Sequence, residues 1–227
     1  MSTIYQHSGS PVQNQRGLTL VEILVALMIS TFLIAGVIQL FIGSKQTYRG
    51  HDALSRIQEN GRFAMDRMSF DVRMADYPND TPDPNAVQGT NNSITVQWND
   101  GGAISRAYSI RCSGGGTPPC ANGVPATLAV DLGTGAGPQD LIEGVDGMQI
   151  RYGVCGASTI YMNAAAMTAA NWQNVCSVQI DLLLASLEDN MVTQPQTYFY
   201  QGANVTATDR RFRQAFSTTV AIRNRQL

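Results

Sequence analysis

The chain has 227 residues, a formal net charge of −2 and a pI near 5.6. That length suits one sizeable domain with an appendage, and the mild acidity supplies no basic field for nucleic acid. Only two histidines are present, His7 and His51. They leave almost no material for a Ser/His/Asp triad or a His-based metal cage, so no catalytic residue, metal or cofactor is expected.

From Leu18 to Gly43 the sequence reads LTLVEILVALMISTFLIAGVIQLFIG, with Glu22 its only ionisable side chain. The run can span a bilayer, which takes about 20 apolar residues. It is longer than the 7–15-residue apolar region of a secretory signal and has no Ala-x-Ala at its far end, so cleavage after it is not expected. Arg16 precedes it, and Lys45 and Arg49 follow it; the positive-inside rule barely discriminates. A carboxylate in a membrane helix is costly and needs compensation. Glu22 either snorkels at the helix end, stabilised by the helix N-terminus, or meets a new α-amine. Cutting between Gly17 and Leu18 would place such an amine, with a pKa of about 7.7–8.0, one turn from Glu22. In a bundle of identical helices that pair forms between chains as readily as within one.

The segment Arg16-Gly17-Leu18-Thr19-Leu20-Val21-Glu22 resembles the cleavage and methylation motif of type IV prepilins and type II secretion pseudopilins. The resemblance implies that prepilin peptidase cuts after Gly17 and methylates Leu18 as the new first residue. It also implies that Glu22 pairs with a neighbouring subunit's N-terminus. Leu18 stands where many relatives carry Phe.

Beyond Gly43 an apolar stripe continues at helical spacing through Leu54, Ile57, Ala64, Met68 and Val72, with Phe63, Phe70 and Met74 alongside. The helix is expected to reach about Asp76, with its second half amphipathic and covered on one face. Gly36, Gly43 and Gly61 each cost about 1 kcal/mol relative to alanine and mark bends or tolerated positions. Pro78, Pro82 and Pro84 stop the helix. The pattern then turns to period two, at Ile94, Val96 and Trp98; Ile104, Tyr108 and Ile110; Met148, Ile150 and Tyr152; Val178, Ile180, Leu182 and Leu184; and Phe212, Phe216, Val220 and Ile222. Only the alanine-rich stretch 163–172 offers further helical material. The expected fold is α+β, a long N-terminal helix packed against an antiparallel sheet, and the prepilin resemblance implies that it is pilin-like. The expected divisions are a leader (1–17), an apolar helix (18–43), its amphipathic continuation (44–76) and a β-rich domain (77–227).

Four cysteines, Cys112, Cys120, Cys155 and Cys176, lie in the polar later part of the chain and none is in a CxxC spacing. An even count in an exported domain reads as two disulfides. Cys112 and Cys120 bracket a short Ser-Gly-Gly-Gly-Thr-Pro-Pro loop, so they are paired, and Cys155 is paired with Cys176. Each bond would contribute roughly 2–3 kcal/mol in the loop-entropy picture. Disulfides place everything after Gly43 outside the cytoplasm; the alternative is four buried thiols in a cytosolic protein. Gly133-Thr134-Gly135-Ala136-Gly137-Pro138 resembles a phosphate-binding loop, but Pro138 stands where helix N–H donors are needed and no Lys-Ser/Thr follows. Arg210, Arg211, Arg213, Arg223 and Arg225 form a basic C-terminal group that the polar positions flanking a last strand explain as well as phosphate binding does.

The blocks Gly61-Arg62-Phe63-Ala64, Asp71 to Ala75, Leu141 to Val145, Met148 to Gly153 and FRQAFSTTVAIRNR, from Phe212 to Arg225, are similar to recurring blocks of PilW-type minor pilins. That resemblance implies a non-enzymatic subunit of the type IV pilus, acting in assembly, priming and tip formation. It would be held first in the inner membrane with its domain in the periplasm, then in the extracellular pilus. Implied partners are other minor and major pilins through the N-terminal helix, a PilY-type tip adhesin, prepilin peptidase and the inner-membrane assembly platform. Nucleic acid is not among them. The rivals are a J-type pseudopilin of type II secretion and a signal-anchored periplasmic binding protein or enzyme.

Overall fold

Helix α1, Leu20–Met74, opens a computed structural model that describes residues 17, 19–78, 83–112, 116, 118, 120 and 123–225. The chain divides into two compact units, 1–46 and 47–227, and α1 contributes to both. Within the second unit α1 buries Ile57, Gly61, Ala64, Met68, Ser69, Asp71 and Val72. Their three- and four-residue spacing makes one stripe of a 3.6-residue helix. Phe63 and Phe70 were expected beside that stripe but are exposed. Each is next in sequence to a buried residue, and one position turns a side chain by about 100° around the helix. The helix stops at Met74, two residues short of expectation. Asp76 adopts a positive φ of 65° and its N–H already bonds the Gln97 carbonyl at 2.9 Å, so the backbone there belongs to the sheet.

The stripe packs on an antiparallel sheet of eight strands among the described residues. These are β1 (Val87–Gly89), β2 (Ser93–Asn99), β3 (Ala103–Arg111), β4 (Ala126–Asp131), β5 (Pro138–Val154), β6 (Ile160–Asn163), β7 (Val175–Ala185) and, last in the chain, β10 (Arg213–Ala221). They are ordered β1-β2-β3-β4-β5-β7-β10, with β6 also paired to β5. Strands β8 (Thr197–Tyr200) and β9 (Ala203–Thr206) form a separate hairpin. Period two located the cores of β2, β3, β5, β7 and β10. The other five strands were not anticipated. β4 offers only Leu128 and Val130 as alternating large apolar residues, and the rest are only three or four residues long. In the alanine-rich stretch there is no crossover helix, only one 3-10 turn (Ala164–Ala166) and the five-residue α2 (Ala169–Gln173). Ile94, Tyr108, Leu128, Ile150, Tyr152, Ile180 and Leu182 form a sealed core against Met68 and Val72.

Two disulfides brace the sheet. Cys112–Cys120 closes the loop after β3 with a Cα–Cα distance of 5.4 Å, and Cys155–Cys176 ties the end of β5 to the start of β7 at 5.8 Å. One close packing contact and two polar devices then lock the second half of α1. Gly61 lies so close to the ring of Phe216 that a Cβ there would come within 2.3–2.7 Å of it, which makes this glycine a contact site. The fully buried Asp71 accepts a hydrogen bond from the Tyr108 hydroxyl and lies 3.5 Å from Arg67; burial, and then that carboxylate, push the Tyr108 pKa above its ordinary value. Arg225, near the C-terminus, donates from Nε to Asp76 at 2.7 Å and from its other nitrogens to the carbonyls of Trp172, Val175 and Asp83. Asn224 reaches back to the carbonyl of Ala75, at the helix end.

Candidate functional site

The residues expected to carry function gather where α1 begins. Leu18, the expected methylation site, lies outside the described residues, as do residues 1–16. Gly17, on the other side of the expected cut, is exposed. Thr19 caps the helix: its Oγ1 accepts the Glu22 N–H at 3.3 Å, and its carbonyl accepts the N–H groups of Glu22 and Ile23 at 3.1 and 3.2 Å. A threonine three residues before a glutamate is the pattern of a capping box. Sequence reasoning passed over Thr19 although that spacing was legible. Glu22 sits in the first turn, where the partial positive charge of the helix N-terminus favours a carboxylate. Among the described residues no cation pairs with it.

From Leu20 to Ile42 the large apolar side chains of α1 are exposed around the whole helix. The two hydroxyls in the run are turned inward on the backbone, Ser30 to the Ala26 carbonyl at 2.7 Å and Thr31 to the Leu27 carbonyl at 2.8 Å. The surface that remains is apolar but for the Glu22 carboxylate at its start and the exposed amide of Gln39 toward its end. Gly36 and Gly43 have open space where a Cβ would stand, so no packing among the described residues requires them. The helix is long and apolar enough to cross a membrane. An apolar surface of this extent is covered by lipid or by other helices rather than by water.

The remaining sequence candidates resolve differently. The 133–137 segment is the connection of the β4–β5 hairpin, with φ of 69°, 82° and 78° at Gly133, Gly135 and Gly137, and Pro138 begins a strand and not a helix. It lacks the helix N-terminus a phosphate loop needs. Of the five C-terminal arginines, Arg213 and Arg225 are buried, Arg211 is half-buried, and Arg210 and Arg223 are exposed. Arg213 is buried against Asp146 and Asp209, and its hydrogen bonds hold the Asp209 carboxyl below the usual carboxylate range. Arg211 donates to the carbonyls of Ser186 and Leu187, Arg210 to Asn190, and Arg225 is internal. Among the described residues no cluster of His, Cys, Asp and Glu could hold a metal.

A family model described as type IV pilus-assembly protein W matches residues 107–224, more than half of the chain. A model of the prokaryotic N-terminal methylation motif matches residues 12–38. No curated protein matches the chain. Among solved structures, a type IV-like pilin from Thermus thermophilus is similar, at 12% identity and a TM-score of 0.47, over 75% of this chain and 97% of its own.

Proposed function

The chain belongs to the type IV pilus-assembly protein W family, and from that membership we propose that it is a structural minor pilin that acts in assembling and priming the filament and stands near its tip. The precursor is cut after Gly17 and methylated at Leu18 by prepilin peptidase. Residues 18–43 hold it in the inner membrane and 77–227 fold in the periplasm, with 44–76 joining them, before it passes through the assembly platform into the pilus. Its neighbours are other minor and major pilins and a PilY-type tip protein. The observation that carries this reading is the exposed apolar start of α1 with Glu22 as its one carboxylate. Two disulfides in the second unit suit an oxidising compartment. A J-type pseudopilin would share the N-terminal chemistry, and the match over 107–224 weighs for the pilus.

In the assembled helix bundle, each Glu22 meets the α-amine of a neighbour's Leu18. Glu22→Ala should then leave membrane insertion intact, since an apolar run improves when its charge is removed. Incorporation should suffer, because deleting one member of a buried ion pair costs about 3–5 kcal/mol. The test compares the protein in sheared filaments with its level in membranes, for wild type and Glu22→Ala, together with the intact mass of the mature chain. A mass that retains residues 1–17, or equal incorporation of both forms, would remove the mechanism. Absence of wild type from every filament fraction would favour an anchored periplasmic protein.

A further inference from the structure

The two edges of the eight-stranded sheet are unlike. One ends in β1, only three residues long, whereas the other is the nine-residue β10. Which groups of β10 face outward follows from its ladder with β7. Residues flanking the strand fix the parity, since the Ser186 N–H bonds the Phe212 carbonyl at 2.8 Å and the Ile222 N–H bonds the Cys176 carbonyl at 2.8 Å. In an antiparallel pair, residues that exchange hydrogen bonds alternate with residues that do not. In the observed register, Gln214, Phe216, Thr218 and Val220 therefore bond β7, while Arg213, Ala215, Ser217, Thr219 and Ala221 direct their backbone N–H and C=O away from the sheet.

At Arg213 these outward groups are already satisfied in the manner of a paired strand: its N–H donates to Gln196 Oε1 at 2.7 Å and its carbonyl accepts from Gln196 Nε2 at 2.9 Å. From Ala215 to Ala221 no partner for them occurs among the described residues, and Ala215, Ser217 and Thr219 are exposed. Natural sheets blunt such an edge with lysine, proline, a bulge or brevity. The segment AFSTTVA has none of these, and its pairing with β7 runs without a register shift.

We propose that the outer edge of β10, from Ala215 to Ala221, is the docking site for an extended strand of about seven residues, spanning roughly 20 Å, donated by a different subunit of the filament. The donor meets four residues whose N–H and C=O both face it, which is recognition by strand addition. Small uncharged side chains at Ala215, Ser217, Thr219 and Ala221 admit it without a clash. A second copy supplies no such strand from its own sheet edges. Pairing β10 with β10 about a two-fold normal to the sheet reverses the sheet and the stretch of α1 packed on it, whereas the subunits of one filament share one direction. A copy displaced so that its helix stays parallel presents β1, whose three residues cover less than half of the free edge. That the donor is a filament subunit rests on the function proposed above; the open edge does not.

Two measurements test it, on the full-length protein. In detergent, amide exchange at Ser217 and Thr219 should be at least about 100-fold faster than at Thr218 and Val220, as expected for amides without a partner. Equal protection would mean the edge is already covered and would overturn the proposal. Thr219→Pro and Ala215→Pro each delete one outward N–H and spare the β7 ladder, a position where edge strands tolerate proline. Both should melt within a few degrees of wild type yet fall at least about 10-fold in sheared filaments relative to membranes. Normal incorporation of both, beside loss of Glu22→Ala, would sink the strand site and leave the filament reading standing. If the proline variants do not fold, exchange on wild type in sheared filaments decides: protection of Ser217 and Thr219 supports the site, and continued fast exchange overturns it.

Discussion

Arg225→Met removes the guanidinium that joins the chain's last turn to the end of α1 while keeping an apolar stem of similar length. The Arg225 and Asp76 side chains are 3% and 1% exposed, and the pair is 2.7 Å apart, so little solvent screens it. The substitution deprives Asp76 of its cation and leaves three carbonyls, those of Trp172, Val175 and Asp83, without this donor. Breaking a buried pair by deleting one member costs about 3–5 kcal/mol, and the backbone N–H of Asp83, which still donates to Asp76, keeps the loss toward the middle of that range. Against a typical total stability of 5–15 kcal/mol, about 4 kcal/mol is a large fraction. It corresponds to a melting point lowered by roughly 8–16 °C, at about 2–4 °C per kcal/mol for a unit of this size. Trp172 is a built-in reporter, because its ring packs edge-on to Tyr152 with centroids 4.6 Å apart and its carbonyl is one of Arg225's acceptors. Thermal unfolding followed by tryptophan fluorescence on the detergent-solubilised chain measures the effect. Adding Asp76→Asn should recover part of the loss, since asparagine tolerates the positive φ at that position and carries no charge to strand. A single variant that melts within 2 °C of wild type, or a double variant worse than the sum of its parts, would refute the view that Arg225 latches the helix end.

Gly61→Leu should destabilise the second unit by about 1–3 kcal/mol through overpacking against the Phe216 ring; adding Phe216→Ala should relieve it, and failure of that rescue in a melting experiment would remove the close approach as the cause. Opening Cys155–Cys176, which spans 21 residues, by paired serine substitution should cost roughly 3 kcal/mol, and opening Cys112–Cys120, which spans 8, somewhat less. Non-reducing peptide mapping of the mature protein checks both bonds, and a crossed pairing or free thiols would overturn them.

Local chemistry decided how much could be read from the chain. The first half of α1 was legible because one residue breaks its composition: Glu22 in an otherwise uncharged run, at fixed distance from Gly17, needs no knowledge of the rest of the molecule. Strands β2, β3, β5, β7 and β10 were legible because three or four large apolar residues recur in or beside each at even spacing. β4 escaped because it holds only two large apolar residues at alternate positions, Leu128 and Val130, and β8 and β9 because four residues cannot establish a period. The devices that hold α1 to the sheet were illegible for a different reason. Arg225 meets Asp76 across 149 residues of sequence, and Phe216 meets Gly61 from the far edge of the sheet. An arginine that flanks a solvated strand and one that closes a buried latch have the same neighbours in sequence; only the strand order, which brings β10 beside β7, separates them. The same limit applies to AFSTTVA. Its small, uncharged residues read as an ordinary final strand, and it becomes a candidate binding edge only once the ladder with β7 fixes which of its backbone groups point outward.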